Sequence, residues 1–498
     1  MDNDVKMTSG QAEEISFLGI DPKIRDKVLK EEPKDQKELA KWQKEKARPN
    51  RPAYLWYLMF ILTLVYIVDE VATNLNSTMQ PYMIEDFFMN LQGLDKNAAQ
   101  ANWDGFGAFG LLMQVITIFY RPLADRFGRK VFLFFNTLIM AVGMILCFWS
   151  PYFPVYLVGY LLLVFMTGPD MQVVYVTECA PKAHRAAFVS VIKGIAQLGI
   201  ALIAIGMQSF MKDNNSEWRK VFLIPAILGF VVAFLALFFA RETDQFLDER
   251  IAYLAKTPEE KMKLLSDKVS KNAESQGGAI ATVKFGFRHH QLRWLFIASM
   301  LYTTAFYGTG YYGQTITNAG YSAEQLAKVA LVWPFVCSAV TIAYGIFSDK
   351  LGRKVVSTAL GSLAVMGLAL LCTGLYLGWN EYANGVFLGF FLAGYWNWGD
   401  TIILMVSESC PTNFRSSAAG DQGLFAAAGY LIGYLATMLF SKYSGSAIQY
   451  LDFVYLALAI PGVLAAILII VFNVHETKGI DLDTVRGDEW DKKPIEQN

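Results

Sequence analysis

Six ionisable residues lie inside long apolar stretches of this sequence. A charged side chain at the centre of a bilayer costs at least about 2.5 to 3.5 kcal/mol, so such residues face an interior and not lipid. A desolvated carboxylate is also easier to protonate near neutral pH, which lets it take up and release a proton. We therefore predict that proton coupling or charge recognition falls to Asp69, Glu70, Asp170, Lys193, Asp400 and Asp421.

The depths of these residues can be estimated from the chain. Asp170 and Asp400 each precede a loop glutamate by eight residues, which is about 12 Å of helix, so both are expected near mid-membrane. Lys193 reaches a similar depth, and Asp170 on the neighbouring helix is its expected partner, either as a permanent structural ion pair or as a functional one. Asp69 and Glu70 either titrate or are merely solvated by a central cavity. The sequence leaves open which carboxylate carries the proton.

Polar and aromatic residues at the same depth are candidates for contact with a solute. Amides pair with hydroxyl groups as both donors and acceptors, and aromatic rings stack on the apolar faces of sugars. Lys193 and Gln197 are four residues apart and share a helix face. Each candidate has an alternative role in interhelical packing or in an interfacial aromatic belt. They are Asn74, Gln172, Gln197, Tyr311, Tyr312, Gln314, Trp396, Asn397 and Trp398.

The composition indicates that lipid is the solvent of these elements. The chain has 498 residues, of which 54% are hydrophobic and 17% charged, and a soluble core cannot bury so much apolar surface. The net charge of -1 excludes nucleic acid as a partner. The five cysteines show neither CxxC nor metal-ligand spacing, so we expect buried thiols, no metal site and no cofactor.

Twelve apolar stretches are long enough to cross a hydrocarbon core of about 30 Å. They predict an all-α membrane protein with two six-helix bundles. We expect a charged N-terminal segment (1–53), a first bundle (54–240), a linker of mixed helix and flexible chain (241–291), a second bundle (292–473) and a tail (474–498). The stretches begin near Tyr54, Gly105, Val131, Pro154, Ala187, Val221, Leu292, Gln325, Val355, Ala383, Ser417 and Asp452.

Lys and Arg are enriched in the short loops on one side of these stretches, which places that side, both termini and the linker in the cytosol. No cleavable signal peptide precedes the first stretch, so we expect this stretch to direct its own insertion.

The two halves repeat each other. "DRFGRK", which begins at Asp125, recurs as "DKLGRK", which begins at Asp349. "GPDMQVVYVTECAPKAHR" recurs as "WGDTIILMVSESCPTNFR", and four identities stand at one constant offset. Such repetition is the signature of a duplicated architecture. The four matched pairs are Asp170 and Asp400, Glu178 and Glu408, Pro181 and Pro411, and Arg185 and Arg415.

With these motifs, the sequence from residue 54 to about 480 resembles the major facilitator superfamily, most closely its sugar porter and metabolite:proton symporter branches. The resemblance implies a cytosolic network that joins the bundles in the outward-open state and breaks in the inward-open state. The alternative is that these charges only set the topology. The network residues are Asp125, Arg126, Gly128, Arg129, Glu178, Arg185, Asp349, Gly352, Arg353, Glu408 and Arg415.

Glycines in the repeated loop suit a tight turn after a helix. In the first copy, Arg121 stands where the family has glycine, whereas the second copy keeps Gly345. Other departures concern the solute. Span seven reads "YTTAFYGTGYYG" where sugar porters have paired glutamines, and "GDTII" replaces Pro-x-Pro-Trp in span ten. Asp400, with Lys193 nearby, suggests an ionic solute such as a sugar acid, a carboxylate or a cation, while neutral sugar stays open.

The resemblance implies a secondary active transporter of the cell membrane that moves a sugar, sugar acid or related carboxylate, with proton symport and alternating access. The alternatives are a facilitated-diffusion uniporter, an exporter, or a nutrient sensor that does not transport. No HExxH, P-loop or nucleophile motif is present, so an enzyme is not expected. The expected partners are the solute, protons and the lipid bilayer, and the expected state is a monomer.

Overall fold

The computed structural model describes residues 22–47, 54–120, 127–167, 175–176, 179, 185–212, 214–274, 284, 286–410, 415–443 and 452–478. Within these ranges all regular structure is helical, and no strand occurs. This confirms the all-α prediction. In chain order the helices are α1 Pro22–Lys46, α2 Tyr54–Ile84, α3 Lys96–Tyr120, α4 Arg129–Phe148, α5 Phe153–Thr167, α6 Arg185–Leu198, α7 Ala201–Phe210, α8 Leu223–Phe239, α9 Asp244–Leu254, α10 Pro258–Glu274, α11 His290–Thr303, α12 Phe306–Gly310, α13 Tyr312–Asn318, α14 Ala323–Leu351, α15 Arg353–Leu377, α16 Glu381–Glu408, α17 Arg415–Tyr443 and α18 Ile460–Asn473.

Seven helical segments of the described chain are long and apolar enough to cross a membrane. The helix α5 is also apolar but shorter. By length alone α16, with 28 residues, can cross a core of about 30 Å, although Asn384, Asn397 and Asp400 interrupt its apolar sequence. The count of twelve spans and the cytosolic placement of both termini remain predictions. The seven segments are Trp56–Asn90, Arg129–Phe148, Phe188–Phe210, Asn215–Phe239, Ala323–Ser348, Arg353–Leu377 and Tyr455–Asn473.

The chain forms two compact units. The larger unit comprises residues 55–240 and 282–498 and contains both predicted bundles. Within it, α4 packs on α5 and α8, and α16 packs on α14 and α15. Helices of the predicted first half also pack on helices of the second half, α6 and α7 on α14, and α3 on α17. Gly194 allows the α6 contact, because an added Cβ would lie 2.5 Å from a side-chain carbon of Ile342.

Two ends of the larger unit matter for function. The motif end is defined here by Gly352, Arg353 and Glu408, and the far end by Thr78 and Tyr312. Gly352 precedes α15 with a φ of 96°, in the region that favours glycine, as the tight turn requires. The start of α11 lies at the motif end, because Gln291 donates a hydrogen bond to the Ser409 hydroxyl at 3.3 Å.

The smaller unit comprises residues 1–54 and 241–281, so part of the predicted linker packs with the N-terminal segment. Its described residues form α1, α9 and α10. Trp42 of α1 packs edge to face against Phe246 of α9, with ring centroids 5.3 Å apart. Lys261 of α10 is buried and lies 3.1 Å from Glu32 and 3.0 Å from Asp35 of α1. The division of the remaining chain into two bundles stays a prediction.

Candidate functional site

The far end of the larger unit is closed by direct contact between α2 and α13. The hydroxyl oxygens of Thr78 and Tyr312 lie 2.5 Å apart, and both residues are buried. A Cβ added at the neighbouring Gly313 would lie 2.5 Å from the Ser77 carbonyl oxygen. The two predicted halves therefore touch here at the distance of backbone packing.

A buried carboxylate lies beside this contact. Asp104 of α3 is 1% exposed and accepts a hydrogen bond from Gln100 at 2.9 Å. The Tyr311 hydroxyl also donates to Asp104, which links α3 to the loop between α12 and α13. Tyr311 in turn packs edge to face on Tyr434 of α17, with centroids 6.0 Å apart. A Cβ at Gly107 would lie 2.7 Å from the Tyr434 ring, so glycine is needed for this approach.

Adjacent to these contacts lies a cavity of about 170 Å³. Its lining includes the residues Asn74, Asn76, Trp103, Tyr160 and Trp396. The Asn74 amide also donates to the Glu70 carbonyl at 2.9 Å, and the Asn76 amide oxygen accepts from the Tyr156 hydroxyl. Amides pair with hydroxyl groups, and indole and phenol rings pack on apolar C–H faces. A mostly apolar enclosure with a few convergent polar groups is the usual form of a small-molecule site. The cavity is therefore suited to a polyhydroxylated solute.

Three of the predicted solute contacts, Asn74, Tyr311 and Trp396, line this cavity. Others bond elsewhere. The Asn397 amide donates to the Thr341 hydroxyl at 3.0 Å, and the Trp398 indole donates to the Ser357 hydroxyl at 2.7 Å. These two hydrogen bonds connect α16 to α14 and α15, which agrees with the alternative role of both residues in interhelical packing. Tyr312 belongs to the far-end contact, Gln314 donates to Asn318 at 2.9 Å, and Gln172 lies outside the described residues.

Gln197 of α6 has a different environment. Its side chain is fully buried, and within the described residues neither its amide nitrogen nor its amide oxygen has a hydrogen-bond partner. Buried amides in folded proteins are rarely left unsatisfied, so this one is a place where a ligand or water can bind. It stands one helical turn from Lys193.

Lys193 forms an ion pair with Asp400. The ammonium nitrogen and the carboxylate oxygen lie 2.8 Å apart, and the two side chains are 23% and 45% exposed. The pair joins α6 to α16 and so connects the two predicted halves. The sequence favoured Asp170 as the partner because it lies on the neighbouring helix, but Asp170 is outside the described residues. The structure gives Lys193 a partner that is 207 residues away.

The remaining predicted acids occupy different environments. Asp69 of α2 is 7% exposed, and the neighbouring Glu70 is partly buried. Asp421 of α17 is 3% exposed, and within the described chain its Oδ2 atom has no hydrogen-bond partner. The structure therefore buries carboxylates on both predicted halves.

Part of the predicted network is formed at the motif end. Arg353 Nε lies 3.4 Å from Glu408 Oε1, and the Thr477 hydroxyl donates to the other oxygen of Glu408 at 2.5 Å. Glu476 accepts hydrogen bonds from the backbone N–H groups of Arg353 and Lys354 at 2.7 and 3.0 Å. Sequence reasoning missed Glu476 and Thr477. The available signal was "HETKG" after the twelfth stretch, which echoes "RETDQ" after the sixth.

Other members of the network are incompletely described. Gly128 has a φ of 103° and precedes α4, whose first residue Arg129 is 7% exposed. Asp125, Arg126 and Glu178 lie outside the described residues, as do the side chains of Arg185, Asp349 and Arg415. The described contacts join segments of the second half, and a bridge between halves at this end remains a prediction.

The sequence matches the family described as "Sugar (and other) transporter" over residues 70–488. The chain belongs to this family. It is a sugar porter of the major facilitator superfamily, as its motifs indicate. The members of this family that it matches are transporters and not enzymes, which agrees with the absence of an enzyme motif from the sequence.

Similarity to individual relatives is low but extensive. The arabinose-proton symporter of Bacillus subtilis is 24% identical over 350 residues, which cover 64% of this chain and 74% of the relative. The glucose transporter GlcP of Staphylococcus epidermidis is 23% identical over 383 residues, which cover 73% of this chain and 83% of the relative.

Solved structures share the fold. The crystal structure of a D-xylose-proton symporter superposes with a TM-score of 0.65 at 19% identity, covering 86% of this chain and 100% of the other. The inward open conformation of the xylose transporter XylE from E. coli gives a TM-score of 0.64 at 18% identity, covering 88% of this chain and 100% of the other.

Proposed function

We propose that this protein is a proton-coupled symporter that carries a sugar, a sugar acid or a related carboxylate across the cell membrane by alternating access. The observation that carries this proposal is the cavity beside the closed far end. Its amide and aromatic lining, which includes Asn74 and Trp396, suits a compact solute with many hydroxyl groups. A relative named for arabinose-proton symport and a structural neighbour named for xylose-proton symport support the same function.

Buried acids supply the proton-binding groups in this proposal. Asp69 and Asp421 are both nearly inaccessible, and Asp400 stands opposite Lys193 at the interface of the two halves. A carboxylate in such a site changes its protonation when the surrounding water or the paired cation changes. Movement of the halves changes both, and this couples proton transfer to transport.

The proposed arrangement has twelve spans in two six-helix bundles, a cytosolic motif end and both termini in the cytosol. The far end then faces outward. Because Thr78 and Tyr312 meet there, the described state is closed to the outside. Rocking of the bundles about the cavity opens each side in turn, the mechanism expected of duplicated transporter folds. We propose that one chain suffices, because both halves of the cavity wall come from the same chain.

Uptake by the purified protein in liposomes tests this function. Labelled sugars, sugar acids and related carboxylates are offered with the lumen alkaline, with equal pH on both sides, and with a protonophore. We expect accumulation only with the gradient. Asn74→Ala and Trp396→Ala should reduce uptake, whereas the exposed control Trp149→Ala should not. Absence of uptake for every sugar, sugar acid and related carboxylate in the panel would refute the proposal.

Facilitated diffusion is the second candidate. One relative, GlcP, is named as a glucose transporter without reference to a proton. A uniporter would equilibrate its solute at the same rate with and without a pH gradient, and an exporter would move solute only outward. A sensor that does not transport would bind solute without any flux. The liposome experiment separates these cases.

A further inference from the structure

The ion pair between Lys193 and Asp400 bears on which solute is carried and how the proton is coupled. We propose that the solute is an anionic sugar acid whose carboxylate replaces Asp400 on Lys193, and that the released Asp400 takes up the coupled proton. This inference rests on the proposed function and narrows it from polar solutes in general to carboxylates.

The pair is placed where a solute can reach it. Its two side chains keep 23% and 45% of their surface exposed, although the chain buries other acids almost completely. The two partners come from different predicted halves, α6 and α16, so opening the halves at this interface separates them. Because a solvated ion pair contributes little to stability, a partly exposed pair across the interface of the two predicted halves is suited to exchange its partners.

Charged and titratable side chains of four other helices surround the pair. Glu70 of α2 and Lys193 both act electrostatically on Cys337 of α14, so Glu70 lies in the same region. Tyr344 of α14 and Tyr302 of α11 both interact electrostatically with Asp400, and Tyr344 also interacts with Arg353 of α15. Among the described residues, two carboxylates, two cationic groups and two neutral phenols thus share this region. Because these charges balance, an anion adds no net charge to the region only when a proton enters with it.

A carboxylate ligand has a defined position on Lys193. The ammonium group has three donors, and charge-assisted hydrogen bonds to carboxylates are its strongest contacts. Gln197 stands one turn along the same helix face and offers a buried amide without a described partner. A sugar acid presents its carboxylate and, within a few ångströms, a hydroxyl group. It can therefore bind the Lys193 ammonium and the Gln197 amide at the same time. A neutral sugar can pair with Gln197, but it leaves the Lys193 ammonium bound to Asp400.

The exchange balances charge and protons. Before binding, the site holds Lys193 as a cation and Asp400 as an anion. When the solute carboxylate occupies Lys193, two carboxylates stand beside one ammonium group, and a proton on Asp400 removes the repulsion between them. One proton and one monovalent anion enter together, so no net charge crosses the membrane. On the other side the anion leaves, Asp400 releases its proton, and the ion pair forms again.

The first test uses the unmodified protein in liposomes. Uptake of labelled glucuronate and of labelled glucose is measured with an alkaline lumen, while potassium and valinomycin set the membrane potential. We expect glucuronate to accumulate about tenfold per unit of pH difference and to do so independently of the potential. Accumulation of glucose that glucuronate does not inhibit would overturn this inference and leave the proposed symport standing. Uptake of neither glucuronate nor glucose would overturn this inference, and the wider panel of solutes described above would then decide the proposed symport.

Substitutions assign the roles of the two residues. Lys193→Gln should abolish glucuronate binding and uptake. Asp400→Asn should keep exchange of glucuronate for glucuronate across the membrane but lose the tenfold accumulation, because the amide cannot carry the proton. Lys212→Gln, an exposed lysine, serves as the control. Normal gradient-driven accumulation of glucuronate by Asp400→Asn would contradict the assignment. If either variant fails to fold, the inhibition and potential measurements on the unmodified protein still decide.

Discussion

The hydroxyl oxygens of Thr78 and Tyr312 lie 2.5 Å apart, and this contact joins helices α2 and α13 of opposite halves across the far end. Both side chains are buried, so neither hydroxyl can exchange its partner for bulk water without the helices moving apart. The contact therefore contributes to the stability of the closed far end and not to the fold of either half.

Removing this hydrogen bond should favour opening of the far end. A buried hydrogen bond contributes about 1 kcal/mol, so Tyr312→Phe should raise the open-to-closed ratio about fivefold. The measurement is the labelling rate of a cysteine introduced at the buried Ser77, in a cysteine-free background, by a membrane-impermeant maleimide. Tyr382→Phe is the control, because Tyr382 is 49% exposed. Equal labelling of the unmodified protein, Tyr312→Phe and Tyr382→Phe would show that the contact does not keep the far end closed.

Glycine at position 107 should be required for complete closure. An added methyl group would lie 2.7 Å from a ring carbon of Tyr434 and 3.0 Å from the Tyr311 hydroxyl. Overpacking of this kind costs about 1 to 3 kcal/mol, and only the closed state bears the cost. Gly107→Ala should therefore slow transport and increase labelling at position 77.

The matched control for this substitution is Gly423→Ala, since no atom lies within 4 Å of its added Cβ. A Gly107→Ala protein that transports as fast as Gly423→Ala would mean that the two tyrosines shift at little cost. A loss of thermal stability in Gly107→Ala without a change in labelling would show that the added methyl group destabilises the folded protein and does not affect closure of the far end.

Glu476 should stabilise the start of α15. Its carboxylate accepts two backbone N–H groups at the N-terminus of that helix, where Gly352 offers no side-chain cap. Loss of such a cap costs about 0.5 to 2 kcal/mol. Glu476→Ala should therefore lower the Tm of the detergent-solubilised protein.

The control is Glu324→Ala, in the first turn of α14. The Glu324 side chain is 69% exposed, and its ion pair with Lys328 is of the surface type that contributes little. A Tm unchanged by Glu476→Ala, or lowered equally by both substitutions, would contradict a capping role for Glu476.

The order of helices was predictable because apolar length is a local property of the sequence. The helix that contains the first apolar stretch begins at Tyr54, where the stretch itself begins, but α3 begins at Lys96, well before the predicted Gly105. The first turns of α3 have the polar sequence "KNAAQANWD", so a search for apolar stretches missed them and the buried Asp104 that they contain. Apolar periodicity does not reveal a buried carboxylate whose hydrogen-bond donors come from the other half of the chain.

The site was less predictable because it depends on contacts distant in sequence. The sequence singled out Lys193 and Asp400 as charges at similar depth, and the two side chains meet in the structure. Its assignment of Lys193 to Asp170 stays a prediction, because Asp170 lies outside the described residues. It did not pair Lys193 with Asp400, since adjacent helices are the only neighbours a sequence shows and Asp400 comes from the other half. Glu476 was missed for the same reason, because its hydrogen-bond donors lie 123 and 122 residues earlier.

Acid should destabilise the smaller unit through Glu38. Burial alone would raise the pKa of Glu38, but hydrogen bonds from Arg250 and Trp42 outweigh it and hold this pKa below its ordinary value. A carboxylate with a lowered folded-state pKa contributes stability that is present above the unfolded-state pKa. That contribution is lost as pH falls through the folded-state pKa. Protection of α1 amides should therefore fall as the pH drops below about 4.5, where unfolded glutamate begins to bind protons.

The Glu38→Gln variant separates this effect from general acid unfolding. Hydrogen exchange of the full-length protein, corrected for the intrinsic pH dependence of exchange, measures protection of α1 at neutral and acid pH. We expect Glu38→Gln to show lower protection at neutral pH and a smaller acid-induced loss, because an amide cannot form the ion pair with Arg250 and does not titrate. The exposed Glu249→Gln should behave as the unmodified protein. An acid-induced loss as large in Glu38→Gln as in the unmodified protein would assign the acid sensitivity to other carboxylates.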